Sequence, residues 1–400
     1  MFKSIDTIAV KYDVFLIFII LTLVSFSLAF FPLLAFILII VVLSVFTVRI
    51  PEFFRKFLHI LALFSLVVVY SSKSFYNELS MDLSSYIMVN DELRRLSFYQ
   101  IFSTHFSLEP GWNIIYWIIY NAGLNITDEG VGVANYFICC ILFYFWFEVH
   151  GIKEFQQEFR SIATATSLLF LSVLFLAIMQ RQAIASIFIL FAISNIKNLK
   201  KLLLYSFVAI LFHSTSIIFI ILYYFLMKLK LKYYHWFLIA FFILLFKIFF
   251  IYFINLLVDL EAFSNKAEYY KNTFDFDFFS IKLLCYVLFV VFSLIFYRGS
   301  ALSHSRYANI IVFSLICYIL MIGINLLPER LNFINIYLIG FYISLIYLPK
   351  HYRLLLILNL TFCLIFYFEK TLSNTGFDKY WYRYEEYSLI PFYYIERLFN

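Results

Sequence analysis

Apolar runs separated by short polar stretches organise this chain from one end to the other. A spanning helix needs roughly 20 predominantly apolar residues. Runs that reach or approach that length cover residues 14–31, 33–48, 57–70, 131–147, 162–179, 183–196, 202–227, 236–258, 281–297, 307–327, 333–348 and 354–368. The pattern predicts an all-α, polytopic integral membrane protein, one domain over residues 1–400, with about 11 spans and a different fate for residues 202–227. Several runs are short, so their helices must take in flanking polar residues or the bilayer must adapt.

Lys and Arg set the expected orientation. Arg49, Arg55 and Lys56 read as a cytoplasmic connection, which puts the N-terminus inside with Lys3 and Lys11. Residues 71–130 then form an external loop carrying Glu78, Asp82, Asp91, Glu92, Glu109, Asp128 and Glu129. The run 202–227 has basic clusters on both sides, Lys197, Lys200 and Lys201 before it and Lys228, Lys230 and Lys232 after it. One crossing would invert every later loop, and two crossings do not fit, since about 12 residues per half reach only about 18 Å. A re-entrant hairpin bent near His213 and Ser214, with its tip near mid-membrane, resolves the conflict; a plain span that ignores the charge rule is the alternative.

Composition agrees with the pattern. Hydrophobic residues make up 64% of the chain and charged ones 14%, with a mean hydropathy of +0.92. Soluble domains hold roughly 45–50% apolar and about 25% charged residues, so a soluble globular chain, a disordered one and a disulfide scaffold are excluded. The 54 Phe and 32 Tyr against 9 Gly and 6 Pro argue against a glycine-rich barrel. The net charge of +6 sits in short loops and implies no nucleic-acid partner. Cys139, Cys140, Cys285, Cys317 and Cys363 all fall in apolar runs without CxxC spacing, where a thiol is a small hydrophobe. Lys3 and Lys11 precede an apolar run with no small-residue cleavage site, which predicts an uncleaved first span.

Against this background a few residues are too polar for their surroundings, and such residues are functional candidates in a membrane protein. Arg181, between Gln180 and Gln182, lies at the external end of a tight hairpin. It is either a snorkelling interfacial arginine or a fork for phosphate oxygens, which a guanidinium grips better than an ammonium does. His213 sits at the centre of its apolar run beside Ser214, Thr215 and Ser216. It is either a packed histidine or a cavity residue able to take a proton. Glu109 stands before Pro110, which suits a first helical turn, so it is a helix-start acid or a site residue. The same choice, loop acid or site residue, holds for Asp82. The helix expected after Glu109, over residues 112–124, is too short to cross comfortably and reads as half-embedded. Arg94 and Arg95 read as surface charges, and Lys247 has no assigned role. Glu329 and Arg330 mark another external hairpin, from which Arg330 would converge on Arg181.

No P-loop, GxGxxG, HExxH, CxxC or GxSxG motif is present. Asp275 and Asp277 alternate with Phe274, Phe276 and Phe278 and fit an amphipathic interfacial segment rather than a metal-binding pair. ATP-driven transport and soluble-type nucleotide-sugar chemistry are therefore disfavoured.

The ordered set of Asp82 and Tyr86, then Glu109, Pro110 and Gly111, then Arg181, Gln182 and Ala185, then Phe212, His213 and Ser214, resembles the EpsG/Wzy oligosaccharide repeat-unit polymerases. Glu329, Arg330 and the tail from Leu389 to Tyr393 are similar to that family's ending, and the resemblance runs from about residue 70 onward. Two departures stand out: Ser80, Met81 and Asp82 replace the family's usual Gly-x-Asp, and Thr215 and Ser216 follow the His motif. The resemblance implies a C-type glycosyltransferase-like helical body in a bacterial inner membrane, metal-independent and without a cofactor, working on the periplasmic face. Undecaprenyl-diphosphate-linked oligosaccharides would be donor and acceptor, with membrane lipid around them and a chain-length regulator protein as a candidate partner. His213, Asp82 and Glu109 are then the candidates for the base. Arg181, Gln182, Arg330, Tyr86 and Ser214 are the candidate substrate-binding residues. A flippase for lipid-linked repeats, an O-antigen ligase and a sugar acyltransferase are the competing readings; the flippase would carry symmetric internal repeats, and none is visible.

Overall fold

The computed structural model describes residues 2–46, 50–71, 81–103, 109–123, 128–171, 176, 179–229, 231–258, 300–321, 331–372, 390–392 and 394. Among them the backbone is helical, with no strand beyond one isolated bridge between Ser300 and Pro349. The helices are α1 (Phe2–Phe30), α2 (Pro32–Val45), α3 (Glu52–Ser71), α4 (Met81–Leu93), α5 (Gly111–Asn121), α6 (Asp128–Val149) and α7 (Arg160–Leu169). After them come α8 (Gln180–Ser194), α9 (Leu199–Phe212), α10 (Ser216–Lys228), α11 (Tyr233–Val258), α12 (Ala308–Met321), α13 (Asn335–Tyr347) and α14 (Tyr352–Leu372). Glu52–Ser71, Gly130–Glu154 and Tyr234–Phe253 are long and apolar enough to cross a membrane; the other apolar helices are shorter. This is the architecture of a helical membrane protein.

Several helices begin in residues that the charge pattern assigns to loops. Arg55 lies inside the first turn of α3 and is 2% exposed. Its guanidinium donates from Nη1 and Nη2 to the two carboxylate oxygens of Glu148 at 2.7 and 2.6 Å, and from Nη1 to Thr164 Oγ1 at 3.0 Å. His59, one turn further along α3 and fully buried, brings Nδ1 to 2.7 Å from Glu148 Oε1. Charges taken out of water need such partners, because desolvation costs several kcal/mol per ion. The cluster joins α3, α6 and α7 at one end of the bundle. Glu148 lies 17 residues beyond Val131, hence about 26 Å along α6, so the ends are well separated.

The middle of the bundle is held by close backbone packing. Helix α7 presents Ser161, Ala163, Thr164, Ala165, Thr166 and Ser167, all buried. Small side chains let helices approach closely where apolar solvent gives little drive for association. A Cβ on Gly340 of α13 would stand 2.7 Å from Ser167 Cα, so only glycine fits. Around this contact Phe143, Trp146, Phe147, Tyr337 and Phe341 fill the core. Asn359 of α14 donates to Thr166 Oγ1 and Ser44 Oγ, satisfying its amide inside the bundle. Helix α11 is different: Phe237, Phe242, Ile248 and Phe249 are all exposed, while Ile243 is buried and Ile239 and Phe250 pack against the core.

The run 202–227 is two helices, α9 and α10, broken at His213, Ser214 and Thr215. Asn309 Nδ2 donates to Leu226 O and Leu229 O, while nearby Arg306 Nη1 reaches Ser194 O at the end of α8. Both arms therefore return to the same end of the bundle. Each is about 20 Å long, nearly the length of α8, so the turn stands level with Arg181 and not halfway along the helices. The run at 162–179 also differs from expectation, since α7 ends at Leu169. The expected span at 281–297, the pair Asp275 and Asp277, Cys285 and the hairpin with Glu329 and Arg330 lie outside the described residues.

Glu148→Ala should destabilise the protein by about 3–5 kcal/mol, because it leaves Arg55 buried without its carboxylate. Thermal unfolding of the purified protein in nanodiscs checks this; an unchanged midpoint would mean that Arg55 finds another partner or water.

Candidate functional site

At the end of the bundle opposite Arg55 and Glu148, three elements far apart in sequence meet at one carboxylate. Glu109 precedes α5, whose start is set by Pro110 with φ −72°. Gly111 comes next, and a Cβ there would lie 3.0 Å from the backbone of Leu211 and 3.1 Å from the ring of Phe212. The missing side chain lets the start of α5 sit directly on the end of α9. This contact delivers Glu109 to the broken turn.

Each oxygen of the Glu109 carboxylate is engaged. Oε2 accepts from Arg181 Nη1. Oε1 accepts from the backbone N–H and the hydroxyl of Ser214 at 2.7 and 2.8 Å. His213 Nδ1 lies 3.2 Å from the same oxygen. That contact is within ion-pairing distance but is not aligned as a hydrogen bond, since Nδ1 makes none in the structure. Burial alone would raise the Glu109 pKa; His213 and the two bonds from Ser214 outweigh it and hold the carboxyl at about 2. The group therefore stays ionised and is a weak proton acceptor.

Arg181 begins α8 and is positioned on two further sides. Its backbone N–H and its Nε both donate to Tyr86 Oη at 3.4 Å, and the guanidinium carbon lies 5.9 Å from the Tyr86 ring centroid. Tyr86 in turn packs against Trp112, which stacks on Tyr116 with ring centroids 4.1 Å apart. Trp112 Nε1 donates to Gln180 Oε1 at 2.8 Å, and Tyr116 Oη donates to Val131 O. An aromatic ladder thus fixes α4 and α5 against the starts of α6 and α8. Asp82 lies in α4 four residues before Tyr86, and its side chain is outside the described residues.

Beside the ion pair, a small cleft opens between α8, α10 and residues 331–334, lined by Gln182, Ser186, His213 and Ser216 among others. Of the residues singled out from sequence, Glu109, Arg181, His213, Ser214 and Tyr86 come together, and Gln182 lines the adjoining cleft. Arg330 lies outside the described residues, though Leu331, next in the chain, also lines the cleft. Arg94 stands apart, over the Tyr120 ring at 5.5 Å. Sequence reasoning missed Trp112, Gln180 and the buried set Arg55, His59 and Glu148. Arg55 and His59, four residues apart and thus on one helix face, were the available signal.

Fold and site together define a helical membrane protein with a charge-paired site at one end of its bundle. Residues 60–386 match the model of the EpsG family, and the chain belongs to that family. No curated protein and no solved structure gives a significant match.

The Glu109 pKa also makes a pH prediction. Its ionised form stabilises the fold fully above the unfolded value, roughly 4.3, and that contribution is lost as pH falls through about 2. The difference in thermal midpoint between the native protein and Glu109→Gln should stay constant down to about pH 5 and shrink below about pH 4. A difference that changes between about pH 6 and 8 would mean that another group controls it.

Proposed function

We propose that this protein polymerises lipid-linked oligosaccharide repeat units into a surface polysaccharide, as a polytopic glycosyltransferase of the bacterial inner membrane with its site on the periplasmic face. The growing glycan on undecaprenyl diphosphate is the donor and a single lipid-linked repeat unit is the acceptor. Membership of the EpsG family supports a polysaccharide polymerase. The observation that carries the chemistry is the fixed guanidinium of Arg181 beside a cleft that also holds His213.

The reaction asks for two things. When the acceptor hydroxyl oxygen attacks the anomeric carbon, the anomeric C–O bond breaks and its electron pair passes to the diphosphate oxygen. The growing negative charge needs cations already in place, because reorganising them during the reaction would cost the energy that catalysis must save. Arg181 is held for this by Glu109 and Tyr86. The acceptor's proton also needs a base. Glu109 is a poor choice, being fully engaged and ionised far below neutral pH. His213 suits the role, with Nδ1 turned to the carboxylate and Nε2 left to receive the proton. Glu109, 3.2 Å from Nδ1, is then the charge that would stabilise the imidazolium once the proton has moved.

Arg181→Ala should reduce polymer about 100-fold or more, the scale on which loss of one preorganised charge donor acts. Arg181→Lys should recover only part of it, since an ammonium lacks the fork. A gel of surface glycan from cells carrying each variant checks this, with membrane insertion verified in parallel. A near-normal ladder from an inserted Arg181→Ala protein would refute the assignment.

A further inference from the structure

The lysines beside the α9–α10 hairpin have no acidic residue close by in the chain. From Arg160 to Val258 there is no Asp or Glu, yet Lys197, Lys200 and Lys201 stand at the start of α9 and Lys228 and Lys232 at the end of α10. Among the described residues no carboxylate pairs with any of these five. Glu154, at the same end of the bundle, already accepts from Arg306 Nε at 2.9 Å and from Ser305 Oγ at 2.8 Å. Lys228 stands over the Tyr224 ring, 4.7 Å from its centroid. Lys200, Lys201 and Lys228 are all exposed.

Each arm of the hairpin also turns an apolar stripe outward. On α9, Leu203, Leu204 and Phe207 follow Lys200 at helical spacing, and all three are exposed. On α10, the exposed Ile218, Ile221 and Phe225 lead to Lys228 in the same way. Both arms pack against α8, so the stripes lie on the outer side of the hairpin. Because the arms return to the same end of the bundle, a lysine caps each stripe at one level. Positive charge beside a span helps to orient it during insertion, but that role does not need the lysines to stand in line with exposed apolar stripes.

We propose that the outer side of the α9–α10 hairpin is a binding surface for anionic phospholipid, with headgroup phosphates at Lys200, Lys201 and Lys228 and acyl chains along the two stripes. Charge complementarity selects the headgroup. The surface offers ammonium groups and no carboxylate, so a zwitterionic lipid brings its own cation against the lysines, whereas phosphatidylglycerol does not. An acidic soluble protein would meet the lysines but leave the stripes unused. Each lysine near an anionic bilayer surface strengthens association about fivefold. This surface requires only that the chain spans a membrane, not that it is a polymerase.

The test uses the full-length protein in phosphatidylcholine nanodiscs. These hold, at equal mole fraction, either phosphatidylglycerol or phosphatidylcholine with a diazirine in one acyl chain. After illumination and peptide mass mapping, the hairpin arms should carry about fivefold or more label from the phosphatidylglycerol probe than from the other. Lys200→Gln, Lys201→Gln and Lys228→Gln together should bring the two probes level. Labelling by the phosphatidylcholine probe should stay as in the native protein, which shows that the hairpin is folded and still faces lipid. Arginine at the same three positions should keep the preference, because charge selects the headgroup. Equal labelling of the native protein by both probes would overturn the proposal and leave the lysines to an acidic partner. A preference that survives in the glutamine variant would overturn it as well. If that variant does not insert, about 1 M salt, where the screening length is about 3 Å, should remove the preference in the native protein; a preference unchanged there has the same consequence.

Discussion

A carboxylate placed among apolar helices, with little water to solvate it, must find all its partners in the protein. Glu109 does so by drawing on three distant parts of the chain: the connection ahead of α5, the start of α8, and the turn between α9 and α10. In water each of these contacts would be worth little, whereas a low-dielectric interior strengthens them severalfold. The geometry of Arg181, His213 and Ser214 therefore depends on one side chain. Gly111 matters because it is what allows α5 to come close enough.

The other end of the bundle meets a similar problem with a second buried carboxylate, Glu148. Arg55 and His59 converge on Glu148, and Arg55 also reaches Thr164, which joins α3, α6 and α7, while His59 Nε2 is buried without a hydrogen-bond partner. Buried ion pairs of this kind are weak evidence of net stability but strongly resist the loss of either partner. The contrast between the two clusters is informative. Around Arg55 the carboxylate is shared by buried groups, while around Arg181 the same kind of pairing borders a small cleft lined by Gln182, Ser186, His213 and Ser216.

The proposed substrate, part lipid and part diphosphate, sets unusual demands on a site. It must be cationic and polar at one level and apolar a few helical turns away. The broken helical hairpin places Ser214, Thr215 and the start of α10 together at its turn. The aromatic ladder of Tyr86, Trp112 and Tyr116 then ties the loop helices to this turn, so the polar end does not rely on loops alone for its shape.

Much of this was legible in the residue pattern. Apolar run length determined the all-helical membrane class, because a backbone in lipid must satisfy its own hydrogen bonds. The few ionisable residues in apolar surroundings marked Arg181, His213 and Glu109, since their desolvation needs a reason. The basic clusters around residues 202–227 pointed to a bend. Other features were decided only by tertiary structure. Arg55 reads as a loop charge until Glu148 and Thr164 are brought to it by helices α6 and α7. The role of Glu109 as a shared partner, and not a free acid, follows from Gly111 meeting the backbone of Leu211, a contact that no local spacing encodes. Composition and spacing report what each residue requires of its surroundings; which distant residue supplies it depends on how the helices pack.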